Sequence, residues 1–127
     1  MKVVIADDSS SIRIKLGRYF KELGHEVIGE AVNGYEALKL VAEKKPDLVT
    51  LDLVMPELDG LSVLRAIRYE NRKIWIVMVS SAATLANELA ASQSGSNGFL
   101  KKPFDKESLR QLILKINIPI QSSEEAA

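Results

Sequence analysis

Pro46-Asp47-Leu48-Val49-Thr50-Leu51-Asp52-Leu53-Val54-Met55-Pro56 is the stretch on which the fold turns. Between its prolines only Thr50 interrupts the apolar run Leu48, Val49, Leu51, Leu53 and Val54, apart from the two aspartates. A short apolar run of this kind reads as a strand covered on both faces, which belongs in a parallel sheet. Asp52 ends that run. A carboxylate there is costly to ionise in an apolar setting unless a cation or a wet cleft lies beside it. The rest of the chain must therefore supply the residues that build such a site.

Outward from this strand, the same signature recurs at even spacing. Lys2 to Ala6 is a β-branched strand that stops at Asp7-Asp8-Ser9-Ser10-Ser11. The spacing of Ile12, Leu16, Tyr19, Phe20 and Leu23 predicts a helix closed by Gly24. Glu26 to Ala31 is a second strand. Asn33 caps the next helix with Glu36 three residues on, and Ala37, Leu38 and Val41 face inward until Pro46 forbids continuation. Downstream of Asp52, a loop from Val54 to Gly60 leads to a helix built on Leu61, Leu64 and Ile67. Ile74 to Val79 is a fourth strand ending at Ser80-Ser81, followed by a helix over roughly Thr84 to Gln93. Phe99 to Lys101 is a short fifth strand running into Lys102-Pro103-Phe104. Asp105 caps the last helix, whose stripe is Leu109, Leu112, Ile113 and Ile116; Pro119 is expected to halt it, leaving a polar, frayed tail. Five strand–helix units in strict alternation imply an α/β fold, a doubly wound five-stranded parallel sheet flanked by five helices.

The 127 residues fit one domain, placed at 1–118 with a tail at 119–127. Lys and Arg number 17 and Asp and Glu number 17, so the charges cancel, and no basic stripe points to nucleic acid or a membrane surface. The absence of cysteine excludes disulfides, thiolate metal sites and a cysteine nucleophile. No apolar run approaches a membrane span, so the expected location is the cytoplasm.

In an open parallel sheet, ligands sit beyond the carboxyl ends of the strands. The residues at those ends are Asp7 and Asp8, Asp52, Ser80 and Lys102. Three carboxylates in one place repel unless a cation joins them, and oxygen ligands without His or Cys select a hard divalent ion, Mg2+ before Zn2+. Mg2+ shares its remaining positions with phosphate oxygens, so Lys102 and Ser80 become donors to a phosphoryl group and a carboxylate becomes its acceptor. Taken singly, Asp7-Asp8-Ser9 reads as a helix cap and Ser80 as a strand-end hydroxyl; it is their combination that points to chemistry. His25 is expected to be exposed and idle. Trp75 and the methionines read as packing, and Arg13, Lys15, Arg18 and Lys21 as the solvated face of the first helix.

From Lys2 to Ile116 the chain closely resembles the receiver domain of two-component response regulators. The resemblance rests on the acidic pair, Asn33-Gly34-x-Glu36-Ala37, Pro46-Asp47-Leu48, Asp52-x-x-Met55-Pro56-x-x-Asp59-Gly60, Ser80 and Lys102-Pro103-Phe104. It implies a flavodoxin-like sheet in strand order 2-1-3-4-5. It implies Asp52 as phosphoacceptor, Asp8 and Asp52 as direct Mg2+ ligands (Mn2+ being a substitute), Asp7 acting largely through water, and the backbone carbonyl of Val54 as a further ligand. Lys102 would pair with phosphoryl oxygens, Ser80 would swing to bond one, and Phe99 would follow as the switch residue, with the Lys102-Pro103 bond cis. The implied donor is a histidine kinase or histidine phosphotransfer protein. The implied output is a remodelled surface of helix four, strand five and helix five, read by an effector the sequence does not name, with the chain a monomer or a weak phosphorylation-dependent dimer. Ser80 and Phe99 stand where Thr and Tyr are frequent. Val54 and Ala82 stand where polar side chains tune phosphoryl lifetime, so self-dephosphorylation is expected to be slow.

Three other functions compete. A Mg2+-dependent phosphatase with an aspartate nucleophile usually carries Asp-x-Asp after its first strand, whereas here the acids are adjacent. A flavin or nucleotide binder needs a Gly- or Thr-rich phosphate loop where the two acids stand. A degenerate receiver, binding partners without phosphate, is disfavoured because all five key side chains are present.

Overall fold

The computed structural model describes residues 1–126, and side chains through Ile116. Its elements alternate throughout: β1 (Lys2–Ala6), α1 (Ser10–Glu22), β2 (Glu26–Ala31), α2 (Gly34–Lys44), β3 (Leu48–Asp52), α3 (Gly60–Glu70), β4 (Trp75–Ser80), α4 (Leu85–Gln93), β5 (Gly98–Lys101) and α5 (Lys106–Ala126). The strands form one parallel sheet in the order β2-β1-β3-β4-β5. β3 lies at its centre, and all five of its residues are buried.

Why β3 is apolar at nearly every position follows from the two cores it separates. Successive side chains of a strand point to opposite faces. Val4, Ala6, Val49, Leu51, Ile76 and Met78 meet Ala37, Val63, Leu64, Ile67 and Ala91 from α2, α3 and α4. Val3, Ile5, Leu48, Val77, Val79 and Leu100 meet Leu16 and Phe20 of α1 and Leu109, Ile113 and Ile116 of α5. Neither core contains a charged side chain. Thr50 is the polar exception inside β3, and its buried Oγ1 has no hydrogen-bond partner among the described residues.

Each helix begins where a side chain satisfies a free backbone N–H. Asn33 Oδ1 accepts from Glu36 N at 2.8 Å, Asp59 Oδ1 from Ser62 N at 2.8 Å and Asp105 Oδ1 from Ser108 N at 2.8 Å. Thr84 Oγ1 accepts from Asn87 N at 3.1 Å, which makes Thr84 the cap of α4 rather than its first residue. Gly24, just past the end of α1, has φ 89°, a conformation that glycine adopts without steric penalty.

Four local expectations need correction. In α3 the buried positions are Val63, Leu64 and Ile67, with Leu61 only half-buried, because the face toward the sheet is rotated toward Val63. His25 is half-buried rather than exposed: Nδ1 lies 2.9 Å from the Met1 amine and its ring packs edge-on against Phe20 at 6.1 Å. Burial, and next the charge of that amine, lower its pKa below the usual imidazole value. Arg13 is not a freely solvated side chain but is bonded to the Asp7 carbonyl just past β1 and to Glu30 of β2. Finally, α5 runs through Pro119 to Ala126. A proline removes one amide donor and crowds the carbonyl four residues back, at about 3 kcal/mol, but does not stop later residues from taking helical dihedrals.

Candidate functional site

The site is assembled by register. Ala6 pairs with Leu51, so the next residue of the first chain segment, Asp7, falls beside Asp52 at the carboxyl edge of the sheet. Asp52 pairs with Val79, and Ser80, one residue on, pairs with Lys101. Lys102 N donates to the Ser80 carbonyl at 2.9 Å. Four consecutive neighbours in the sheet thus release their acidic, hydroxyl and ammonium groups at one rim.

Asp7 and Asp52 are buried and Asp8 is exposed, and the three offer carboxylate oxygens within 4.8 Å of one another. Lys102 Nζ bridges two of them, at 2.8 Å from Asp7 Oδ2 and 3.2 Å from Asp52 Oδ2. Burial, then the neighbouring Asp7 charge, hold the Asp52 carboxyl above the usual carboxylate range, against the opposing pull of Lys102. For Lys102 burial alone would lower the pKa. The Asp7 hydrogen bond and the Asp52 charge outweigh it, so the ammonium is held above its ordinary value. Three carboxylates and one ammonium, −3 and +1, sum to −2. Oxygen donors with that residual charge suit one hard divalent cation.

The backbone around the acids is closely constrained. Val54 N donates to Asp52 Oδ1 at 3.3 Å, and Val54 is 67% exposed. Ser9 N donates to Asp7 Oδ1 at 2.9 Å, and Asp7 N to the Ala31 carbonyl at 3.0 Å. Gly60 N donates to the Leu53 carbonyl at 2.9 Å, and a Cβ on Gly60 would collide with the Asp52 carbonyl oxygen. The glycine after Asp59 is thus a matter of space, where the backbone of α3 passes under the end of β3. Ser80 Oγ is buried and accepts from Ala82 N at 3.0 Å. The Lys102-Pro103 peptide is cis.

Asp7, Asp8, Asp52, Ser80 and Lys102 are accordingly brought together at one rim. Phe99 is elsewhere. It is half-buried on β5, packed against the core under α4, and lines a 720 Å³ surface cavity with its β5 neighbour Leu100 and with Ser108, Gln111, Leu112, Leu114 and Lys115 of α5. The sequence reading missed Arg13 as a neighbour of the acidic pair. Its partner Glu30 lies on β2, 17 residues away, and nothing local signals the contact.

An open parallel sheet whose central strand delivers a buried carboxylate into a lysine-bridged acidic pocket marks a class of phosphoacceptor domains. The chain belongs to the response regulator receiver domain family, whose model matches residues 3–114. Among curated relatives it is similar to the chemotaxis protein CheY of Bacillus subtilis, 33% identical over 90% of this chain and 95% of that one. It is also similar to the sporulation initiation phosphotransferase F of the same organism, 30% identical over 96% and 97%. Among solved structures, CheY in a CheX-CheY-BeF3-Mg complex from Borrelia burgdorferi superposes with a TM-score of 0.89 at 27% identity, covering 91% of this chain and 88% of that one. The chain is therefore a chemotaxis-like receiver of two-component signalling, and receiver domains are phosphoacceptor signalling domains that work as phosphorylation switches. Receiver domains bind Mg2+ through an acidic pocket, and Asp7, Asp8 and Asp52 form such a group here. No helix among the described residues is long and apolar enough to cross a membrane.

Proposed function

We propose that the chain accepts a phosphoryl group from the phosphohistidine of a histidine kinase or histidine phosphotransfer protein onto Asp52. The observation that carries this reading is the convergence of three carboxylates within 4.8 Å around a bridging lysine. An Asp52 carboxylate oxygen attacks phosphorus in line. The O–P bond of an acyl phosphate forms, the N–P bond to the donor imidazole breaks, and the departing ring nitrogen keeps the electron pair and takes up a proton. Bound Mg2+, or Mn2+ in its place, supplies charge neutralisation for the phosphoryl oxygens. Asp8 and Asp52 are assigned as direct ligands, Asp7 as a ligand through water, and the Val54 carbonyl as the remaining protein ligand.

Lys102, poised between Asp7 and Asp52, is assigned to a phosphoryl oxygen once Asp52 is phosphorylated and loses its own carboxylate charge toward the ammonium. Ser80 Oγ accepts a hydrogen bond from the Ala82 amide and keeps its own proton free to donate to another phosphoryl oxygen. Its movement toward Asp52 opens space that Phe99 follows into, remodelling the surface of α4, β5 and α5 on which the cavity beside Phe99 lies. An effector that reads this surface would sense phosphorylation. The receiver domain is assigned to residues 1–118, acting as a monomer or as a weak phosphorylation-dependent dimer. The similarity to a phosphotransferase also favours a relay role, in which the Asp52 phosphoryl group passes to a further histidine.

Incubation with Mg2+ and a small acyl phosphate, read by intact mass, tests the reading. One phosphoryl group per chain, absent in Asp52→Asn and in chelator, supports it. Repeated turnover of varied phosphate esters would instead support a phosphatase. Val54 and Ala82 offer no polar group to orient an attacking water, so the isolated acyl phosphate should persist well beyond seconds.

A further inference from the structure

We infer that Arg13 is a positioning residue for the acidic pair, holding the peptide between Asp7 and Asp8 so that both carboxylates enter the metal pocket. This rests on the metal-binding role proposed for those acids. Arg13 Nη1 donates to the Asp7 carbonyl at 2.8 Å, while Nε pairs with Glu30 Oε1 at 3.2 Å. The Arg13 side chain is only 16% exposed, so it is shielded from water over most of its surface.

The Asp7 carbonyl belongs to the rigid plane that also holds Asp8 N and the Cα atoms of both residues. One hydrogen bond to that oxygen therefore sets the point from which each side chain departs. Asp7 has other restraints: its amide donates to Ala31 O, and its carboxylate accepts from Ser9 N and Lys102 Nζ. Asp8 is exposed, and no hydrogen bond to its side chain occurs among the described residues. Its carboxylate relies on the backbone for its place. Glu30, on the neighbouring strand, occupies the Nε edge of Arg13 and so keeps the guanidinium turned to the carbonyl and away from the Asp8 carboxylate. The planar fork of arginine can hold both partners at once, whereas a lysine ammonium is a point charge on a flexible stem.

Simple electrostatics and positioning predict opposite signs. Deleting a positive charge near a cation site should tighten cation binding. Deleting a group that orients the ligands should weaken it, by about 10-fold if it behaves as outer-shell partners of metal ligands generally do. The experiment is a MgCl2 titration of the full 15N-labelled chain, followed at the Asp8 and Val54 amides, for the unchanged protein, Arg13→Gln and Arg13→Lys. The expected result is roughly 10-fold weaker Mg2+ binding in Arg13→Gln and a partial recovery in Arg13→Lys, with a displaced Asp8 amide resonance in metal-free Arg13→Gln. Equal or tighter binding in Arg13→Gln overturns the inference, as does a loss of thermal stability with unchanged Mg2+ affinity, which marks a purely structural staple. Should Arg13→Gln fail to fold, Arg13→Lys decides alone: weakened binding supports positioning and unchanged binding overturns it. No Mg2+ response in the unchanged protein overturns the metal-site reading itself, and the inference with it.

Discussion

Replacing Asp52 with asparagine should make the metal-free protein more stable. Ionised Asp52 sits with Asp7 and Asp8 at oxygen separations up to 4.8 Å. At an effective dielectric constant of about 20, each such repulsion is worth about 3.5 kcal/mol, roughly 7 kcal/mol together. Lys102 at 3.2 Å returns about 5 kcal/mol on the same scale. The difference, about 2 kcal/mol, opposes folding, and burial of the charge acts in the same direction. Asparagine keeps an oxygen to accept from Lys102 while removing the charge. For a domain of this size, the gain corresponds to a Tm increase on the order of 5–10 °C. The pH dependence has a definite sign. Because the folded-state pKa of Asp52 lies above the ordinary 3.8, the folded protein binds this proton more readily than the unfolded chain does. The penalty is complete above the folded-state pKa and fades as pH falls through it toward 3.8. Thermal unfolding of both proteins in chelator, from neutral pH to pH 4, checks this. A variant no more stable than the parent at neutral pH, or an advantage that grows on acidification, would refute the reasoning. Adding Mg2+ should narrow the gap, since it stabilises chiefly the protein that retains all three acids.

Further outcomes follow from single contacts. Thr50→Val removes a buried hydroxyl that has no partner among the described residues and should stabilise the protein by about 1 kcal/mol in chemical denaturation, without changing Asp52 labelling. Gly60→Ala drives a methyl group against the Asp52 carbonyl oxygen and should cost about 3 kcal/mol in the same measurement, with slower labelling because Asp52 must shift. At the alkaline end, the stability contributed by Lys102 is complete below 10.5 and lost as pH rises through its raised folded-state pKa, which denaturant titrations across that window would show.

Much of this protein was legible in the chain because its signals are local. An apolar run between prolines, an Asn33–Glu36 cap and a glycine after α1 each act within a few residues, so element type and order could be read directly. The five site residues were also legible, because in a parallel sheet the carboxyl ends of all strands share one rim. Arg13, Glu30 and His25 were not. An arginine and a glutamate 17 residues apart carry no mark of their pairing, and a histidine beside a glycine turn gives no sign that the chain terminus lies against it. Pro119 misled for a different reason: its penalty is local, whereas a helix is held by the sum of its hydrogen bonds and packing.

By itself the sequence determined the succession of strands and helices, the strand ends at which charge appears, and the chemical character of the rim. Tertiary structure alone decided the register that sets Asp7 beside Asp52, the reach of Lys102 to both, and the passage of Gly60 beneath β3. The physical reason is range. Propensity and capping act over a few residues of chain, while repulsion among carboxylates and steric exclusion act through space, between groups whose meeting depends on the whole sheet.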